Sequence, residues 1–165
     1  VELPPPPGVR VVPVVSAAEM LHACRTSWPR QDILIKAAAV ADYAPKNPIV
    51  TKRKKSGGEW RLPLRPTEDI LADLSLRRRS GQVVIGFALE DQDERNNALR
   101  KLTRKKLDAI VLNRPVAIGS SRAALEVLVS GKDWQVWPAA SKSVLARKLV
   151  QLAERLWAES ARSSS

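Results

Sequence analysis

Three apolar runs in this chain are nearly continuous rather than alternating: Val9–Val15, Ile33–Val40 and Val83–Leu89. That is the pattern of strands buried on both faces of a parallel sheet. Between the first two, Ser16 and Glu19 have the Ser-x-x-Glu spacing of a capping box, which predicts a helix running through about Cys24. Thr67 is placed to cap a helix from Glu68 to about Arg79, with acids in its first turn, arginines in its last and Gly81 just beyond. A further helix from about Asp93 to Lys106 precedes a fourth strand, Ala109–Leu112. Leu125–Val129 and Trp134–Trp137 flank Ser130-Gly131-Lys132-Asp133 and read as a hairpin. From Ser141 to about Trp157, Val144, Leu145, Leu149, Leu152 and Leu156 share one face of a last helix.

The intervening stretch Ala44–Gly58 is rich in Pro, Lys and Gly and reads as a mobile loop, followed by a short edge strand over Trp60, Leu62 and Leu64. Residues 160–165 read as a disordered tail. Alternating strands and helices ending in a hairpin predict an α/β chain: a Rossmann-like layered fold with a mainly parallel central sheet and a C-terminal hairpin plus helix. In such sheets ligands bind beyond the carboxyl ends of the strands. This rule singles out Ala38–Tyr43, Phe87–Glu90 and Asn113.

Composition narrows the chemistry. His22 and Cys24 are the only histidine and cysteine among the 165 residues, so one chain assembles neither a disulfide framework nor a zinc or Cys/His catalytic site. No apolar run reaches the roughly 20 residues of a membrane span, and the start resembles no signal peptide, so a cytoplasmic protein is expected. The net charge of +11, from 28 Lys+Arg against 17 Asp+Glu, attracts polyanions. Its basic residues are scattered over Arg77–Arg79, Lys101–Lys106 and Lys142–Lys148, and no zinc-finger, RNA-binding or helix-turn-helix signature accompanies them. Specific nucleic-acid binding is not expected, although a basic nucleic-acid-binding protein on an α/β scaffold stays open as an alternative.

Ala37-Ala38-Ala39-Val40-Ala41-Asp42-Tyr43 ends a strand in small residues, which admit a ligand close to the backbone, and then presents a carboxylate. Ten residues after Asp42 comes Lys52-Arg53-Lys54-Lys55. Alone, the first is also ordinary core packing and the second an ordinary solvated face. Lys101 and Lys105, four apart on the expected helix, have ammonium groups on one face, able to hold one polyphosphate or simply to face water. Phe87 reads equally as a core residue, Asp42 as a turn or capping aspartate, and Asn113 as a turn residue.

Taken together and in order, these segments resemble the phosphopantothenoylcysteine synthetase family. Ala-Ala-Val-Ala-Asp-Tyr followed by Lys-x-Lys-Lys is similar to its signature, Thr67-Glu68-Asp69-Ile70-Leu71 to its Thr-Pro-Asp-Ile-Leu segment, and Gly86-Phe87-Ala88-Leu89-Glu90 to its Gly-Phe-Ala-Ala-Glu strand end. Lys101 and Lys105 match two family lysines, and Lys105–Asn113 resembles the run Lys-x-x-Asp-x-Ile-Val-x-Asn. The resemblance implies a ligase joining 4'-phosphopantothenate to cysteine through an acyl-nucleotidylate formed from CTP, with Mg²⁺ required. It implies nucleotide contacts from Ala38, Asp42, Lys52, Thr67, Glu68, Asp69, Phe87, Lys101 and Lys105, and catalytic roles for Lys52 and Asn113. It also implies a homodimer, and FMN only in a fused decarboxylase domain that this chain lacks.

Two departures stand beside the resemblance. The family's Gly-rich first βα turn, with its Asn-x-Ser-Ser-Gly-like segment, is absent, so residues 1–159 correspond to the synthetase domain without its first βα unit. The lid after Asn113 carries Ile118-Gly119-Ser120-Ser121-Arg122-Ala123-Ala124, without the family's later Asp and Asn. A truncated, inactive nucleotide-binding module of the same fold is therefore the second expectation.

Overall fold

The computed structural model describes residues 4–49, 51–52, 54–55, 57–90, 92–113 and 122–163. The elements are α1 (Ala17–Ser27), a 3-10 turn (Trp28–Arg30), β1 (Ile33–Lys36), β2 (Tyr43–Pro45), β3 (Leu64–Pro66), α2 (Ile70–Leu76), β4 (Val83–Leu89), α3 (Glu94–Arg104), β5 (Ala109–Asn113), β6 (Arg122–Val129), β7 (Gln135–Ser141) and α4 (Lys142–Ser163). The main sheet has the order β1-β4-β5-β6-β7, parallel from β1 to β5 and antiparallel through the β6–β7 hairpin. A separate two-stranded ribbon pairs β2 with β3. The Rossmann-like α/β expectation holds.

Alternation along β4 explains the layers. Val84 and Ala88 join Leu21, Trp28, Leu71, Leu74, Leu102 and Leu107 beneath α1, α2 and α3, whereas Val83 and Ile85 join Leu145, Leu149, Leu152 and Leu156 beneath α4. Both faces are buried, so the strand is apolar throughout. Gly86 lies between them on the α2 side. A Cβ there would stand 2.8 Å from Leu71 Cδ2 and 2.9 Å from Leu107 Cδ1, so a side chain is excluded by packing.

Several boundaries differ from those read in the sequence. Val9–Val15 forms no strand, and Val9, Val11, Val12 and Val15 are exposed. A strand needs a hydrogen-bonded neighbour, and among the described residues neither this segment nor the outer edge of β1 has one. A cleft of about 350 Å³ lies there instead, lined by Arg10, Val12 and Val14 on one side and Leu34–Ala38 on the other. The strand expected over Ile33–Val40 stops at Lys36, and that expected over Trp60–Leu64 is confined to Leu64–Pro66.

The cap of α2 is Asp69 rather than Thr67, its carboxylate accepting from Ala72 N at 3.1 Å, and the helix ends at Leu76. The capping box of α1 does form: Glu19 N donates to Ser16 Oγ at 3.2 Å, and the Glu19 carboxylate accepts from Val15 N at 2.9 Å. That helix continues three residues past Cys24 to Ser27. At the other end, residues 160–163 are helical, not disordered. Glu159, Ser160 and Ala161 offer no helix-breaking residue, and Arg162 Nε caps the Ala158 carbonyl at 3.2 Å.

One ion-pair network ties α1 to α2. Arg25 Nε and Nη2 donate to the two oxygens of Asp73 at 2.9 and 2.7 Å, Arg25 also reaches Glu68 at 3.0 Å, and Arg77 Nε donates to Asp73. The bidentate Arg25 fork, only partly offset by burial, lowers the Asp73 carboxyl from 3.8 to about 2. The folded state is therefore favoured by ionised Asp73 at and above the ordinary carboxylate range, and that stabilisation is lost as pH falls through about 2. Melting temperature measured from pH 5 to pH 2 should fall less steeply in Asp73→Asn than in the parent. An unchanged slope would remove Asp73 from the acid response.

Candidate functional site

Because β1, β4 and β5 run parallel, their carboxyl ends share one edge: Lys36 is opposite Gly86, and Leu89 opposite Asn113. The chain leaves β1 through Ala37–Ala41 in an irregular path held by Thr67. Its hydroxyl donates to the Ala41 carbonyl at 2.6 Å and its N–H to the Asp42 carbonyl at 2.8 Å. Thr67 thus positions the small-residue segment and starts the turn that delivers Asp69 to the head of α2.

These links create a depression of about 120 Å³ lined by Lys36, Val40, Asp42, Thr67, Glu68, Asp69, Ile70 and Lys105. Its floor is charged. Lys105 Nζ lies 2.8 Å from Asp69 Oδ2. Burial opposes ionisation of Asp69, but the Lys105 hydrogen bond, the Ala72 N–H and the charges of Lys105 and Arg104 outweigh it and lower its carboxyl. Asp69 therefore stays anionic and Lys105 is held in place. Glu68 points outward to Arg25, 68% of its side chain exposed.

Five expected site residues, Ala38, Lys52, Phe87, Lys101 and Asn113, lie outside this depression, and Ala38 lines the 350 Å³ cleft beside β1. Lys101 pairs with Glu90 and lines an open groove of about 780 Å³ along α3 with Asn97, Leu99, Arg100, Thr103 and Arg104. Lys101 and Lys105 therefore meet different carboxylates instead of converging. Lys105 is the C-cap, with φ −92° and ψ 1°, so helical spacing no longer governs its direction. Phe87 is half-buried on the α4 side of the sheet, packed against the core cluster that contains Val83, Ile85 and Leu145, whereas Lys105 is on the α2 side. Lys52 is exposed in its loop and lines neither depression; its neighbour Arg53 is outside the described residues.

Asn113 ends β5 with its side-chain oxygen buried and without a hydrogen-bond partner among the described residues. Such an acceptor costs about 1–3 kcal/mol, which a donor on a ligand would offset. Of the expected lid, residues 118–121 are outside the described residues, and Arg122, Ala123 and Ala124 open β6 instead. Asp108, from the same sequence run as Asn113, is structural. It accepts from Val84 N at 2.7 Å and from Arg78 at 2.6 Å, pinning the start of β5 to β4.

Sequence reasoning passed over Lys36, which shares the depression with Lys105. Its signal was a single lysine inside the otherwise apolar run Ile33–Val40. No group of three or more His, Cys, Asp or Glu side chains among the described residues forms a metal cluster. No helix among them is long and apolar enough to cross a membrane.

A layered α/β domain with parallel strands β1, β4 and β5 and charged side chains gathered at their carboxyl edge has the Rossmann-like fold. More specifically, the profile of the DNA/pantothenate metabolism flavoprotein C-terminal domain matches residues 1–156, and the chain belongs to that family. It is 49% identical over 105 residues to a cysteine/cysteine sulfinic acid decarboxylase from an unknown prokaryotic organism, covering 64% of this chain and 29% of that protein. It is 42% identical over 125 residues to the coenzyme A biosynthesis bifunctional protein CoaBC of Bacillus subtilis strain 168, covering 75% of this chain and 30% of that protein. The solved C-terminal domain of a coenzyme A biosynthesis bifunctional protein CoaBC matches with a TM-score of 0.79 at 30% identity, over 95% of this chain and 70% of that one. The chain thus spans less than a third of either curated relative.

Proposed function

We propose that this chain is the nucleotide-handling part of a phosphopantothenate–cysteine ligase of coenzyme A biosynthesis. The observation that carries the reading is the depression where Asp42, Thr67, Asp69 and Lys105, all within segments resembling that family's motifs, meet at the carboxyl edge of the sheet. At about 120 Å³ it suits a phosphate group, with the nucleoside lying across the neighbouring sheet edge.

In the proposed reaction the carboxylate of 4'-phosphopantothenate attacks the α-phosphorus of CTP. The phosphoanhydride bond breaks and pyrophosphate leaves. The cysteine amine then attacks the acyl carbon of the acyl-cytidylate, loses a proton and expels CMP. Little covalent chemistry falls to side chains, so catalysis rests on positioning and charge. Lys105 neutralises phosphate charge, Thr67 fixes the strand-end backbone against the ligand, and the unpartnered Asn113 oxygen accepts a donor from substrate. Lys52 and Lys101 close on the phosphates from the flanking loop and groove, Lys101 exchanging Glu90 for nucleotide. Ala38 and Phe87 border the nucleoside. Mg²⁺, for which the described residues offer no cluster of three or more carboxylate, His or Cys ligands, would be held by the triphosphate oxygens and would supply charge neutralisation.

The proposed assembly is a homodimer. The β2–β3 ribbon and its loop leave Tyr43, Ile49, Trp60, Leu62 and Leu64 exposed, at 45–61% of their surface, and a second copy would cover this apolar arm. A cytoplasmic location fits this biosynthetic role, and FMN belongs to a fused decarboxylase domain. Thermal melts of the intact protein test the nucleotide site: CTP with Mg²⁺ raises the melting temperature by mass action, and more than ATP does. No shift with any nucleoside triphosphate would oppose the reading.

A further inference from the structure

Lys36 closes β1 as the lone charge in an apolar run, its side chain half-buried between the 350 Å³ cleft and the 120 Å³ depression that it shares with Lys105. Its ammonium donates to the Ala38 carbonyl at 3.0 Å, using one of three donors. Among the described residues no carboxylate lies within ion-pair distance of it, whereas Lys105 holds Asp69 at 2.8 Å. Burial and the nearby Lys105 push its proton affinity below the ordinary lysine value, and Asp69, Cys24 and Asp42 only partly oppose this. The other two donors of Lys36 have no protein partner among the described residues, and it shares a depression the size of a phosphate with Lys105, which Asp69 holds in place.

We propose that Lys36 is a phosphate-contacting residue of this site, forming with Lys105 a two-ammonium cradle for one phosphate group of the nucleotide. The proposal rests on the nucleotide-site reading above and adds a residue that the family motifs do not mark. A phosphate entering the depression satisfies the free donors of Lys36 and turns the repulsion between the lysines into joint attraction. The Ala38 carbonyl keeps the ammonium aimed at the depression, so the lysine is set before ligand arrives.

The test compares Lys36→Met, Lys36→Arg and Lys105→Gln in the intact protein, reading CTP and pyrophosphate affinity by calorimetry and the melting temperature of the ligand-free protein. Lys36→Met is expected to weaken both ligands about tenfold or more, and Lys36→Arg to recover part of that loss. Ligand-free Lys36→Met is expected to melt no lower than the parent, because the change removes a half-buried charge. Wild-type affinity in Lys36→Met beside weakened binding in Lys105→Gln would overturn the role of Lys36 and leave the site reading standing. Unchanged binding in all three would overturn both. A lowered melting temperature with unchanged affinity would make Lys36 a structural residue only.

Discussion

Replacing Trp28 by alanine should cost about 3–5 kcal/mol of stability, the largest loss expected from a single substitution outside the site. The indole is 4% exposed in the core beneath α1 and α2. Its Nε1 donates to the Leu74 carbonyl at 2.9 Å, and its own carbonyl accepts from Gln82 Nε2 at 2.9 Å. Truncation opens a cavity among Leu21, Leu74 and Val84 and removes the donor from a buried carbonyl. Urea unfolding followed by far-UV circular dichroism measures it. Leu76→Ala, at a residue 67% exposed at the end of α2, should change stability by no more than about 0.5 kcal/mol. Equal losses in the two variants would mean that Trp28 does not anchor α1 to the sheet.

Within the site, Lys105→Gln should weaken CTP binding by roughly tenfold or more, the loss of a charge-assisted contact of about 1.5–3 kcal/mol. Lys105 is 15% exposed and already held by Asp69, so little ordering entropy opposes its contact with phosphate. The exposed Lys142 at the start of α4 carries the same charge far along the chain. Lys142→Gln should leave affinity nearly unaltered. If both variants bind CTP alike, the general positive field of the protein, rather than the depression at Asp69, holds the nucleotide.

What the sequence discloses here depends on how local the cause is. Val83–Leu89 is read from sequence with both ends as observed, because a run that is apolar on both faces has no stable place except inside a parallel sheet. The Ser16–Glu19 box is equally local. Val9–Val15 has the same β-branched composition as a strand but no neighbour to pair with, and a strand is a property of two segments rather than one. Thr67 and Asp69 are both competent caps. Only the tertiary contact of Asp69 with Lys105, and of Thr67 with Ala41, decides which begins the helix.

The site divides in the same way. Its place at the strand ends follows from parallel topology, and Asp42, Thr67, Asp69 and Lys105 are legible as motif residues that the fold then brings into one depression. The direction of individual lysines is not legible. Helical spacing puts Lys101 and Lys105 on one face, but α3 ends at Arg104 and the two ammonium groups part toward Glu90 and Asp69. Lys36 was hidden for the opposite reason: one charge at the end of a strand has no periodicity to betray it.

Pyrophosphate release by the intact protein measures the proposed activation of a carboxylate by nucleotide. With CTP and Mg²⁺, release should require 4'-phosphopantothenate but proceed without cysteine, and Lys105→Gln should slow it by roughly tenfold or more. Release that ignores 4'-phosphopantothenate, or none under any combination of these substrates, would contradict nucleotide-driven activation of that carboxylate by this domain.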